Sequence, residues 1–192
     1  MSEARPEVRR RRSMRLKGYD YAQAGMYFVT ACTHERACSF GAITDSKMRP
    51  SEAGSIVQAT WNALPEHYPH VALDSFVLMP NHMHGIIVIM RRDDINHRRG
   101  GFQTRPYTAE EHLVPTPQGL PEIVRAFKTF SSRRINQACG TLGAKVWQRN
   151  YWERIIRDDE ELAGIREYIQ NNPARWDLDK LHPQSEWSLR MA

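Results

Sequence analysis

The segment Leu78-Met79-Pro80-Asn81-His82-Met83-His84-Gly85-Ile86-Ile87-Val88-Ile89 constrains this 192-residue chain more than any other. Its apolar stretches read as buried strands, with Pro80-Asn81 as a break or tight connection between them. Successive side chains of a strand alternate faces. His82 and His84 therefore share a face, about 7 Å apart along the backbone, and Met83 points into the core on the other side. A strand this apolar holds polar side chains only where they have partners. Two imidazoles on one face can converge on one metal ion. His-x-His alone is a weak signal, so its meaning depends on what else the chain brings to that face.

Composition narrows the partners. The net charge is +5 and the sequence pI is near 9.3, which favours an acidic partner, nucleic acid being the commonest. The excess is uneven: Arg9, Arg10, Arg11, Arg12, Arg15 and Lys17 crowd a short N-terminal stretch against one glutamate. Such a run reads as a solvated arm, and a solvated arm can still seek phosphates. Cys32, Cys38 and Cys139 form no Cys-x-x-Cys pair. That argues against a disulfide framework or a zinc knuckle and points to a reducing, cytoplasmic setting. No apolar run approaches a membrane span, and the charged N-terminus lacks the apolar stretch of a signal peptide, so no membrane partner is expected.

Patterning predicts strands over Met26–Thr33, Val71–Met79 and His82–Met90, with a short one within Cys38–Thr44. Ser51 N-caps a helix that runs to Pro65, with Gly54 as a mild blemish. Pro121 opens a helix whose stripe is Ile123, Val124, Phe127, Phe130, Ile135 and Ala138. Val146–Gln148 and Tyr151–Ile156 are β-prone. Asp158 or Asp159 starts a last helix, and Asn172-Pro173 ends it, because a residue before proline disfavours the helical region. This order predicts an α+β fold with an antiparallel sheet. Residues 91–119 keep no hydrophobic period and read as a long mobile connector. The expected organisation is a basic flexible arm over 1–18, a catalytic domain over 19–175 and a tail over 176–192.

The last helix supplies the second half of a site. Tyr168 and Asn172 are four residues apart and share a helical face. Two imidazoles and an amide oxygen leave positions open on a divalent metal, which phosphate oxygens of a substrate can take. A phenolic oxygen nearby can attack the phosphorus. Free tyrosine has a pKa of about 10 and needs a metal or a base to do so. Glu161 is the reserve third ligand. Trp147, Tyr151 and Trp152 read as core aromatics, or as platforms for an unpaired base.

Taken together, Met79 to His84, Phe127-Lys128-Thr129-Phe130-Ser131, Val146 to Arg157 and Tyr168-Ile169-Gln170-Asn171-Asn172-Pro173 resemble the single-tyrosine HUH transposases. The branch most resembled is the REP-associated tyrosine transposases, over about residues 13–175. The resemblance implies a ferredoxin-like, RRM-like α+β fold and metal-dependent cleavage of single-stranded DNA beside a hairpin. It implies His82, His84 and Asn172 as ligands of Mg²⁺ or Mn²⁺ and Tyr168 as the nucleophile, joined to a 5′ phosphate. Arg125, Lys128, Arg133, Arg134, Arg149 and Arg154 are expected to join the arm in contacting single-stranded or hairpin DNA. A homodimer and a monomer are both compatible with the sequence. Two other readings stay open: a nucleic-acid-binding module without catalysis, and a metal hydrolase of small substrates.

Overall fold

Aromatic and β-branched residues put Gly25–Cys32 into β1, whose Tyr27, Val29 and Ala31 are fully buried. The structure, a computed structural model, describes residues 18–91 and 118–185. Arg9, Arg10, Arg11, Arg12, Arg15 and Lys17, the connector from 92 to 117 and the tail beyond 185 lie outside the described residues. After β1 come a hairpin of β2 (Gly41–Thr44) and β3 (Lys47–Pro50), then α1 (Glu52–Asn62) and a short α2 (Leu64–His67). Next are β4 (Val71–Met79) and β5 (His82–Ile89), joined by the two residues Pro80 and Asn81. α3 (Leu120–Ala138), β6 (Trp152–Ile156) and α4 (Asp159–Asn171) complete the order, and a 3-10 turn, Pro173–Leu178, follows α4.

The main sheet has the order β4-β5-β1-β6, with every neighbouring pair antiparallel. Leaving out the β2–β3 hairpin, the chain runs β1-α1-β4-β5-α3-β6. That connectivity and strand order are ferredoxin-like, an α+β domain as the resemblance implied.

The two faces of the sheet are covered differently. On one, α1 and α3 lay Val57, Trp61, Ile123, Val124 and Phe127 against Tyr27, Val29, Met83 and Ile87. Each such side chain contributes about 1.5–3 kcal/mol by leaving water. On the other, Leu162, Ile165 and Ile169 of α4 pack against Ile86 and Ile156. β5 is therefore covered on both sides, which explains its nearly unbroken apolar run.

Three local expectations are corrected. β3 was not foreseen. Its turn, Asp45-Ser46, holds both residues at positive φ (51° and 58°), as a two-residue hairpin needs, but without the Asn-Gly that advertises it. Gly54 is no blemish: Ser51 Oγ accepts from its N–H at 3.1 Å, and a Cβ at Gly54 would collide with the Phe40 carbonyl. Asn172 keeps helical angles (φ −59°, ψ −44°) despite preceding proline, so α4 flows directly into the 3-10 turn. All three cysteines are free. Among the described residues no helix is long and apolar enough to cross a membrane.

Gly85 sits in β5 between the histidines and the apolar end of the strand, and a Cβ there would strike the six-membered ring of Trp61. Gly85→Ala is expected to lower stability by about 1–3 kcal/mol through overpacking. In a Trp61→Phe background the same change should cost less. Urea denaturation of the four proteins in this cycle measures the difference; equal costs in both backgrounds would refute the contact.

Candidate active site

Period-two alternation sends His82 and His84 to the α4 face of β5, both buried, while Met83 joins the core opposite. Register sets what surrounds them. β1 pairs Thr30 with His84 and Cys32 with His82. Thr30 Oγ1 lies 2.7 Å from His84 Nδ1, and the Phe28 ring stacks on the His84 ring at 5.4 Å between centroids. The Nε2 atoms of His82 and His84 face each other at 3.1 Å.

Asn81, the second residue of the β4–β5 turn, is fully buried and orients His82. Its amide nitrogen donates to the carbonyls of Leu181 (2.7 Å) and Arg36 (3.3 Å). That turns its oxygen to His82 Nδ1 at 2.8 Å, where it accepts the ring proton. His82 therefore presents the lone pair of Nε2 toward His84.

α4 is seated by its apolar stripe, and Arg166 clamps it to the edge of β4 with a two-pronged bond to Asp74, at 2.9 and 2.6 Å. That bond, with a backbone N–H from Ser75, holds the Asp74 carboxyl down at about 2 against its partial burial. Tyr168 and Asn172 then project at the border of the stripe. The Tyr168 hydroxyl is 3.1 Å from His84 Nε2. Burial, with the nearby Asp179 carboxylate, raises its pKa above the usual tyrosine value, and a hydrogen bond with the Asn172 side chain opposes them. The buried Asn172 amide oxygen has no hydrogen-bond partner among the described residues. The four residues expected to build the site thus meet in one place.

One further group was missed. Asp179, at the end of the 3-10 turn, brings Oδ2 to 3.8 Å from His82 Nε2, with its side chain only 7% exposed. Ligand atoms of His82, His84 and Asp179 all lie within 4.8 Å of one another. Nothing in the local sequence marks this aspartate; only the chain reversal after Pro173 does. Glu161, the reserve ligand, is engaged elsewhere, pairing with Arg154 and accepting the Arg157 N–H at 2.9 Å. A cleft of about 570 Å³ opens over Tyr168 and Asn172, walled by Trp152, Arg175, Leu178 and Lys180. Neutral imidazoles, an orphaned amide oxygen and a carboxylate form a donor set that suits a hard divalent cation.

The expected DNA contacts divide. Arg125, Arg133 and Arg149 line a second cleft of about 650 Å³ between α3 and residues 144–151, together with Lys145, which sequence reasoning passed over. Lys128 lines the same cleft and is tied down there. Its ammonium donates to the carbonyls of Gln148 (2.6 Å), Arg149 (3.1 Å) and Asn150 (3.2 Å), and burial lowers its pKa to about 8. Beside it Ser131 Oγ accepts from the Trp147 indole at 2.9 Å. This part of the motif braces a loop. Arg154 is paired with Glu161, and Arg134 reaches Thr60 of α1 at 3.4 Å.

Burial pushes the pKa of His84 down to about 3 and holds that of His82 well below the histidine range, with His84 and Arg36 adding to the latter. Both rings are neutral at pH 7, as metal ligands must be. In the unfolded chain they take up protons near pH 6.5. Stability is therefore fully present above pH 6.5 and falls as the pH drops below it, by about 1.4 kcal/mol per pH unit for each histidine. His84→Gln should remove one histidine's share of that slope between pH 6.5 and 4.5, read from urea midpoints at constant m. An unchanged slope would contradict the neutral burial of His84.

Residues 112–172 match the family model described as transposase IS200 like. A Haemophilus influenzae protein described only as uncharacterized is 39% identical over 181 residues, covering 91% of this chain and 94% of its own length. A second protein from that organism, assigned by its description to the REP-associated tyrosine transposases, is 28% identical over 156 residues, or 81% of this chain and 74% of its own. A solved structure of a REP-associated tyrosine transposase bound to a REP hairpin superposes with a TM-score of 0.54 at 19% identity, over 94% of this chain and 77% of that one, a likeness of fold. The matched segment carries both α3 and the tyrosine helix, so over that segment the chain is similar to the IS200-like transposases, and over most of its length it is similar to a REP-associated tyrosine transposase.

Proposed function

We propose that the protein cleaves and rejoins single-stranded DNA beside a hairpin, through a covalent 5′-phosphotyrosine and with a divalent metal. The observation that carries this reading is the 3.1 Å approach of the Tyr168 hydroxyl to His84 Nε2, at a histidine pair with a buried, unpartnered amide oxygen beside it. His82, His84 and Asn172 would hold a divalent cation, Mg²⁺ or Mn²⁺, which would polarise the scissile phosphate and stabilise the charge developing on it. Tyr168 attacks the phosphorus and gives up its proton as the new oxygen–phosphorus bond forms. The bond to the 3′ oxygen breaks, and that oxygen takes up a proton as a free 3′ hydroxyl. Strand joining is the reverse attack. Arg175 and Lys180, on the wall of the cleft over Tyr168, offer positive charge to the flanking phosphates, and Trp152 offers a ring to a base.

Tyrosine and histidines come from one chain, so no second copy is required to bring them together. The non-catalytic binding module leaves the tyrosine–histidine contact without a role. A small-substrate hydrolase leaves the basic clefts without one.

Incubating a labelled hairpin oligonucleotide that carries flanking single strand with Mg²⁺ or Mn²⁺ should give a protein–DNA band that survives denaturation. Tyr168→Phe should abolish that band with DNA affinity nearly unchanged, because only the nucleophilic oxygen is removed. A wild-type yield of adduct from the variant would overturn the assignment.

Deleting residues 1–17 should flatten the salt dependence of DNA binding. Each phosphate no longer neutralised lowers the slope of log affinity against log salt by roughly 0.7 for single strands. An unchanged slope would exclude the arm from the interface.

A further inference from the structure

The residues after the tyrosine helix are built into the site. The 3-10 turn reverses the chain at Asp179, whose N–H donates to the Trp176 carbonyl at 3.0 Å. Asp179 Oδ1 then accepts the Leu181 N–H at 2.6 Å, and the Leu181 carbonyl accepts the Asn81 amide at 2.7 Å. Trp176, 9% exposed, lies 6.0 Å from the His82 ring, and His182 packs edge-on against Trp176 at 4.8 Å. With Oδ1 held by the turn, Oδ2 is the oxygen turned to His82 Nε2, 3.8 Å away.

That approach joins two acceptors. The Asn81 amide is oriented by its two carbonyl partners, so His82 Nδ1 carries the ring proton and Nε2 a lone pair. No hydrogen lies between this lone pair and the carboxylate oxygen, and a cation placed there would be a partner for both. Two donors bound at about 2.1 Å to one ion lie at most about 4.2 Å apart, so a 3.8 Å gap can be bridged as it stands.

We propose that Asp179 is a metal ligand, its Oδ2 joining His82 Nε2, His84 Nε2 and the Asn172 amide oxygen around the divalent cation. This rests on the metal reading of the site given above. It makes the turn after the tyrosine helix part of the catalytic centre. The carboxylate lowers the net charge of the centre by one and adds a hard oxygen donor, which favours Mg²⁺ or Mn²⁺. Four protein donors leave two of six octahedral positions for substrate oxygen and water.

Mn²⁺ binding to the full chain without DNA, measured calorimetrically and by the rise in Tm that the ion produces, tests the proposal. Asp179→Asn keeps the acceptor for Leu181 and removes the charge. It should be no less stable than wild type without metal, because two acceptors no longer face each other, yet bind Mn²⁺ at least about tenfold more weakly and lose most of the Tm rise. Asp179→Cys should exchange Mn²⁺ affinity for Cd²⁺ affinity relative to wild type, following thiolate softness. If wild type binds Mn²⁺, His84→Ala does not, and both Asp179 variants bind it as wild type does, Asp179 is a turn residue only and this inference fails alone. If wild type itself binds no Mn²⁺, the metal reading fails and takes the inference with it. Lower metal-free stability of Asp179→Asn with unchanged Mn²⁺ affinity would likewise overturn it.

Discussion

The site depends on the pairing of β5 with β1 in the register that sets Thr30 opposite His84 and Cys32 opposite His82. A slip of one residue would carry both imidazoles to the α1–α3 face, among Trp61 and Phe127, and would bring Met83 to the tyrosine. Hydrogen bonding alone does not hold this register. Gly85 does part of it, because only a residue without Cβ passes under Trp61. Asn81 does the rest, tying the turn to Arg36 on one side and Leu181 on the other. Packing on one face of β5 thus sets the chemistry on the other.

The same division explains the motifs away from the histidines. Ser131, Trp147 and Lys128 bind one another and three successive carbonyls, fastening residues 146–150 to α3. From there the chain extends β1 through Thr33 and Trp147 and then enters β6. β6 supplies Ile156 beneath α4 and Trp152 to the wall of the active-site cleft. A lysine that binds three successive carbonyls fixes the geometry of that loop.

What could be read in the chain followed from periodicity. His82 and His84 share a face by the period of a strand, Tyr168 and Asn172 by the period of a helix, and the antiparallel sheet followed from the order of elements and the short link before His82. Three things escaped for separate reasons. β3 is short and polar, and its turn uses Asp45-Ser46, which carry a weaker signal for positive φ than glycine. The bracing role of Lys128 escaped because a pattern registers its charge and not the carbonyls around it. Asp179 escaped because its place depends on Asn172 staying helical before a proline, against the local preference, which turns the chain back over the site. Ile169 and Trp176 are buried on either side of that junction, and no residue near Asp179 encodes it.

The proton inventory shows why one histidine is fixed and the other free. Asn81 can only accept from His82 Nδ1, so His82 Nε2 offers a lone pair in every state. His84 is different, because its Nδ1 faces a hydroxyl, which donates or accepts by rotating. Without a cation the 3.1 Å contact between the two Nε2 atoms is favourable when His84 Nε2 carries the proton and Thr30 donates to Nδ1. A cation held by both Nε2 atoms would need both bare, and His84 could then carry its proton on Nδ1, where the Thr30 hydroxyl would accept it. The site then changes between its two states by a tautomer shift and a hydroxyl rotation, with no net gain or loss of protons by the rings. The Tyr168 hydroxyl lies 3.1 Å from the same His84 Nε2, so a cation bound there would take a place next to the nucleophile's oxygen.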